Sequence, residues 1–231
     1  MSDLDFLAAV RRENAGFTAC LEAGDLAAPV PGCGTWTLYD LADHHGSGNM
    51  WAAAAITERH GNLDPPPAPK DRAALIAWFR AAAATLDDAL AADPDAEAWT
   101  IWPPRTVGFW RRRRAQESMV HRWDAQNALG RTEPLDPALA GDGVAEVVDV
   151  MLPRRVKRGR AQPPDTAVRL TATDLGRSWT LGPGNPVGGV SGRAEDLLLA
   201  LWRRHGYDDG TLTWDGDAAA ARAVLARPLT P

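Results

Sequence analysis

A change of periodicity at Pro163–Pro164 constrains this chain more than any other feature of its 231 residues. Before that pair, apolar residues recur at three- and four-residue spacing over a series of long stretches. After it, AVRLTAT (167–173) alternates apolar and polar. Spacing near 3.6 lines one face of a helix, and alternation lines one face of a strand. The chain therefore reads as an all-helical part, residues 1–160, followed by a small α+β part, residues 161–231.

Within the first part the helix signals are local. Residues 2–23 form an amphipathic helix with Ser2 as N-cap, with Leu4, Leu7, Val10, Phe17 and Leu21 near one face and Gly24 at its end. Thr37 with Asp40 three residues on resembles a capping box, opening a second helix to about His60, closed by Gly61. Gly46 and Gly48 interrupt that helix at a cost of about 1 kcal/mol each relative to alanine, so close packing or a ligand is the expected reason. NLDPPPAPKD (62–71) is a proline-rich connector. A third helix runs from about Asp71 to Ala92, and a fourth from about Gly108 to Leu129, stopped by Gly130. A fifth starts at Asp136–Pro137, a good N-cap and first-turn pair, and ends in PRRVKRGR (153–160).

The second part offers strands at 167–173 and 177–181 and a helix over 197–202 with Ser191 as N-cap. It ends with a short strand at 212–214 and a last helix from 218.

Bulk properties exclude several functions. A net charge of −5 lacks the basic surplus of a general nucleic-acid binder. No apolar run approaches the roughly 20 residues of a membrane span, and MSDLDFLAAVRREN has no signal-peptide core. The two cysteines, Cys20 and Cys33, lack metal-knuckle spacing, which fits a reducing cytoplasm. Cys20 reads as a small core residue and Cys33 as a loop thiol. Ten tryptophans are many for this length, and several flank the polar motifs.

The chemistry-bearing stretch is RAQESMVHRWD (114–124). Glu117 and His121 stand at i, i+4 on one helix face, where they can hold an ion, share a proton or simply face solvent. His44 and His45, in DLADHHG, lie on the second helix. Facing helices of a bundle converge on an internal site, so one of these histidines with Glu117 and His121 makes a His₂Glu donor set. Three protein donors with one open position is the pattern of catalytic zinc, though nickel or iron also accept it. Periodicity leaves the choice between His44 and His45 open.

Three segments resemble the mycothiol-dependent maleylpyruvate isomerase family, and they occur in the family's order. WTLYDLADHHG (36–46) resembles its W-t-x-x-d-L-x-x-H-l-g segment, and RAQESMVHRWDAQNALG (114–130) its R-x-h-E-x-x-v-H-x-w-D-x-x-x-A-x-G segment. VSGRAEDLLLALWRR (190–204) resembles the v-x-G-x-A-x-d-L-l-l-x-l-w-g-R helix of the family's C-terminal domain. The resemblance implies a DinB-like four-helix metal-binding bundle followed by the α+β domain, with His44, Glu117 and His121 at the positions of the metal triad. The chain departs at His45, where an apolar residue is usual, and at Arg203, where a small one is.

The resemblance further implies a divalent metal, zinc by its donor set, and mycothiol as thiol cosubstrate. Partners would be a small electrophile and that thiol, on a monomer or homodimer. The activity would be isomerisation or S-transfer; a metal-dependent hydrolase and a non-catalytic, stress-related metal-binding protein are the alternatives. Arg204 reads as a clamp for a substrate carboxylate or as a cation favoured at a helix C-terminus. His45 then reads as a supporting residue beside the metal or as an exposed histidine. Asp124, one turn past His121, reads as the orienter of a ligand or as a helix salt bridge. Trp51 and Trp123 read as pocket walls or core. Of the RRRR run (111–114), solvated positions with one or two ion pairs are expected, with Arg114 able to anchor an anionic group.

Overall fold

The structure, a computed structural model, describes residues 4–231. It divides into two compact units, residues 1–133 and 134–231. The change of texture lies near residue 160, but the division falls earlier. The helix beginning at Pro137 packs with the later elements, chiefly the helix that follows the sheet's third strand.

The first unit is built from α1 (Phe6–Ala23), α2 (Leu38–Thr57), α3 (Arg72–Leu90) and α4 (Val107–Ala128). α1 packs along α4 and α2 along α3, with α1–α3 and α2–α4 contacts closing the bundle. Each helix starts at a side-chain cap: Asp5, Thr37, Asp71 and Thr106 accept from the backbone N–H three residues on. Ser2, the expected first cap, lies outside the described residues, and Asp5 caps the helix. The Thr37–Asp40 capping box forms in full. α2 ends at Thr57 rather than His60, and Arg59 takes the left-handed turn (φ 59°) expected of Gly61.

Phe17, Leu21, Leu38, Leu41, Leu75 and Phe79 form the core of one end, with the Phe17 and Phe79 rings stacked at 4.8 Å. Gly46 is explained by packing, since a Cβ there would lie 2.3 Å from the Trp78 ring on α3. The proline-rich connector is pinned to α2: Tyr39 Oη donates to Ala68 O (2.7 Å) and Ala68 N–H to Asp43 Oδ1 (2.8 Å).

The second unit starts with α5 (Pro137–Glu146), passes through a π-helical turn (Val147–Met151) and continues as α6 (Leu152–Lys157). Sequence periodicity gives one uninterrupted helix here. Pro153 offers no N–H to the carbonyl of Asp149, and the backbone widens just before it. β1 (Ala167–Ala172), β2 (Arg177–Leu181), β3 (Pro186–Gly192) and β4 (Thr213–Gly216) form one sheet in the order β2-β1-β3-β4. β1 is parallel to β3, and the β1–β2 and β3–β4 pairs are antiparallel.

β3 is absent from the sequence reading because three glycines and a proline outweigh the two valines of PVGGVSG. A Cβ on Gly188 would lie 2.7 Å from the Asp217 carbonyl oxygen, so glycine permits the close approach. Ser191, expected as a cap, pairs with Thr213 inside the sheet. α7 (Ala194–Leu201) is instead entered through Arg193, and its first N–H, of Ala194, donates to Asp174 Oδ1 (2.9 Å) from the β1–β2 turn. α8 (Ala218–Leu225) completes the unit, capped by Asp217.

Candidate metal centre

Two helices supply the centre. Their entry points are set by Thr37 and Thr106, which place His44 two turns into α2 and Glu117 and His121 on successive turns of α4. His44, Glu117 and His121 each present one ligand atom, and these atoms all lie within 4.8 Å of one another. Glu117 Oε1 lies 3.2 Å from His121 Nε2 and 3.6 Å from His44 Nε2. The edges of the His44 and His121 rings meet at a centroid distance of 5.2 Å. The set runs from an exposed His44 through a partly exposed Glu117 to a buried His121, so one side of it opens to solvent. Two imidazole nitrogens and one carboxylate oxygen in this proximity suit a divalent ion, which would draw its donors from these three residues.

The electrostatics prepare the site. Burial alone would raise the Glu117 carboxyl. The nearby Arg113 charge and hydrogen bonds from His121 and His44 outweigh it and hold Glu117 well below the usual carboxylate range. Burial pushes the His121 imidazole down, but hydrogen bonds to Asp124 and Glu117 prevail and hold it above its ordinary value. His121 Nδ1 is 3.1 Å from Asp124 Oδ2, and Asp124 is fully buried. That contact assigns the proton to Nδ1 and turns Nε2 toward Glu117. Cys33 Sγ donates to the same Asp124 oxygen at 3.7 Å.

His45 faces a different environment. It is completely buried, with Nδ1 3.0 Å from Arg114 Nη2 and Nε2 2.9 Å from Asn14 Oδ1. Arg114 can only donate, so Nδ1 accepts and Nε2 carries the hydrogen. Burial, then the Arg114 charge, push this imidazole well below its ordinary value, so it stays neutral. Both ring nitrogens are thereby engaged, and His44 is the histidine that joins Glu117 and His121. Arg114, buried, also donates to Asn49 Oδ1 at 2.7 Å, and burial lowers its guanidinium to about 10.

The arginine run is less solvated than expected. Arg111 donates to the carbonyls of Leu90 and Ala92 at the end of α3, Arg113 pairs with Glu117, and Arg113 and Arg114 are both buried. Trp51 lines an open cleft of about 660 Å³ together with Trp36, Asp43, His44 and Ser47. Its Nε1 donates to Gly61 O at 3.0 Å. Trp123 is buried within α4. Trp36, which motif reading passes over as a functional residue, lies 4.9 Å from the His44 ring, centroid to centroid. Arg204 belongs to the second unit, just past α7, where its Nη1 donates to Trp202 O at 2.8 Å. Arg113 had one legible signal, its i−4 position to Glu117. The Asn14 and Asn49 partners of the His45 network had none, because they depend on which helices face each other.

Residues 7–126 match the mycothiol maleylpyruvate isomerase N-terminal domain, and residues 138–223 match the MDMPI C-terminal domain. The chain belongs to the mycothiol maleylpyruvate isomerase family. Two curated relatives, both uncharacterized proteins of Mycobacterium tuberculosis (strains CDC 1551 / Oshkosh and ATCC 25618 / H37Rv), are 33% identical over 151 residues. That alignment spans 62% of this chain and 77% of theirs. Among solved structures, a crystal structure of the mycothiol-dependent maleylpyruvate isomerase is similar with a TM-score of 0.66 at 15% identity, over 90% of this chain and 91% of that one. A mutant of that isomerase is similar to the same degree, at 16% identity and TM-score 0.66. At those identities the likeness speaks for the fold: a helical N-terminal domain followed by an α+β C-terminal domain.

Proposed function

We propose that this chain is a metal- and thiol-dependent enzyme, an isomerase or S-transferase that uses mycothiol to attack a small electrophile. The observation that carries the reading is the convergence of His44, Glu117 and His121, with ligand atoms within 4.8 Å of one another, in a member of this family. Zinc is the favoured ion, since two imidazoles and one carboxylate leave a position for an exogenous ligand. When bound, the ion makes thiolate available at neutral pH from a thiol whose free pKa is about 8.5.

The chain's own residues do the rest. Glu117, held ionised, supplies negative charge and one inward oxygen. Asp124 holds the Nδ1 proton of His121 and leaves Nε2 as donor. Trp36 and Trp51 flank the cleft through which thiol and electrophile reach His44. In an isomerisation the thiolate sulfur adds to one carbon of a cis double bond while a conjugated carbonyl takes up the displaced π pair, the remaining single bond rotates, and that pair re-forms the double bond as the thiolate departs. The thiol is recovered unchanged. In a transfer the new carbon–sulfur bond is kept. Arg204 is the proposed clamp for a substrate carboxylate, because a guanidinium binds that group in bidentate fashion. Cys20 and Cys33, neither in a disulfide, fit a reducing cytoplasm. No helix among the described residues is long and apolar enough to cross a membrane.

The first test is elemental analysis of wild type, Glu117→Gln and His121→Ala, followed by mycothiol titration and assay with maleylpyruvate. Near-stoichiometric metal in wild type, lost from both variants, with thiol-dependent turnover, is the expected result. Turnover without added thiol would move the assignment to a hydrolase. Bound metal without thiol affinity would leave a non-catalytic metal-binding protein.

A further inference from the structure

The two oxygens of Glu117 have different company. Oε1 faces His121 Nε2 at 3.2 Å and His44 Nε2 at 3.6 Å. Oε2 accepts from Arg113 Nη2, four residues earlier on the same helix. The Arg113 side chain is only 4% exposed and that of Glu117 19%. An ion pair of this kind is a poor device for stability. Desolvating both charges offsets most of their attraction. The basic residue also precedes the acidic one, the weaker order for an i, i+4 pair on a helix. Its consequence for the centre is more specific, because a carboxylate with one oxygen committed to a guanidinium has a single oxygen left to give.

We infer that Arg113 is a positioning residue that restricts Glu117 to one-oxygen donation and so keeps a coordination position available to the thiol. This rests on the metal-and-thiol reading above. With one oxygen from Glu117 the protein supplies three donors. With two it supplies four, and the second carboxylate oxygen crowds the position that an exogenous ligand would take. The contact of Arg113 is with Glu117, and its proposed action is on the orientation of that carboxylate. A partner in this position is expected to change ligand affinity by about tenfold or more when removed.

The test uses the full chain loaded with cobalt(II), whose visible bands are strong in four-coordinate sites and weaker when a further donor is added. Wild type, Arg113→Met and Arg113→Lys are compared by band intensity and by mycothiol titration, with circular dichroism as the check on folding. Arg113→Met is expected to keep cobalt, to lose band intensity as Glu117 turns both oxygens inward, and to bind thiol about tenfold more weakly. Arg113→Lys, which keeps the charge but not the planar fork, is expected to fall between. It decides alone should the methionine variant fail to fold. Spectra and thiol affinity equal to wild type in the folded variants would overturn the inference while leaving the metal reading intact. A wild type that takes up no cobalt would overturn the metal reading and the inference together.

Discussion

His45 and His121 lie on adjoining helices with rings 5.4 Å apart, yet their surroundings shift the two imidazoles in opposite directions. His45 is depressed below its ordinary value near 6.5, first by burial. The unfolded chain therefore takes up a proton as pH falls through that value while the folded chain does not, and stability is lost on acidification. His121 is raised by its carboxylate partners against the effect of burial, so its contribution is present at low pH and fades as pH rises through the folded value. Denaturant unfolding of metal-free protein at pH 7.5 and pH 5 is thus expected to show a smaller acid loss in His45→Gln than in wild type. Equal losses would mean that His45 does not set this slope. At this scale RAQESMVHRWD was legible, because i, i+4 spacing alone puts Glu117 and His121 side by side. The role of His45 was not, since its partners Asn14 and Arg114 come from other helices.

The elements reveal where local preference gives way to packing. In α2, Gly46→Ala gains about 1 kcal/mol in helix propensity. It also drives a methyl into the Trp78 ring, 2.3 Å from the new carbon, and overpacking of that kind costs about 1–3 kcal/mol. Loss should win, and thermal unfolding of the metal-free variant should show a lower midpoint; an unchanged or higher one would mean that Trp78 yields freely. At the end of α7 the balance reverses. Arg203 holds a left-handed conformation (φ 59°) that glycine adopts without strain. Arg203→Gly is expected to stabilise by about 1 kcal/mol, despite losing a hydrogen bond from Arg203 Nη2 to Ala226 O, and a lowered midpoint would refute this. The capping box and the Asp136–Pro137 start were readable because they are local. β3 and the true start of α7 were not. A glycine-rich strand is specified by the backbone it approaches, and Asp174 caps α7 from 20 residues away in sequence.

For the whole molecule, all three candidate donors belong to the first unit and Arg204 to the second. Arg204→Gln is therefore expected to leave metal content at wild-type level while raising KM for a carboxylate-bearing substrate by about tenfold, the loss of one charge-assisted contact of roughly 1.5 kcal/mol. Metal loss in this variant, or an unchanged KM, would remove Arg204 from the proposed machinery. The sequence by itself determined the helical-then-mixed order, most helix starts, the Glu117–His121 pair and the family, because each is written in spacing over a few residues or in motif order. Tertiary structure decided that the units divide at 133, that His44 rather than His45 lies beside Glu117 and His121, and that Arg113 and Arg114 are buried. Those outcomes depend on which face of each helix meets its neighbour. That choice is made by the summed packing of the bundle and is encoded in no single stretch of the chain.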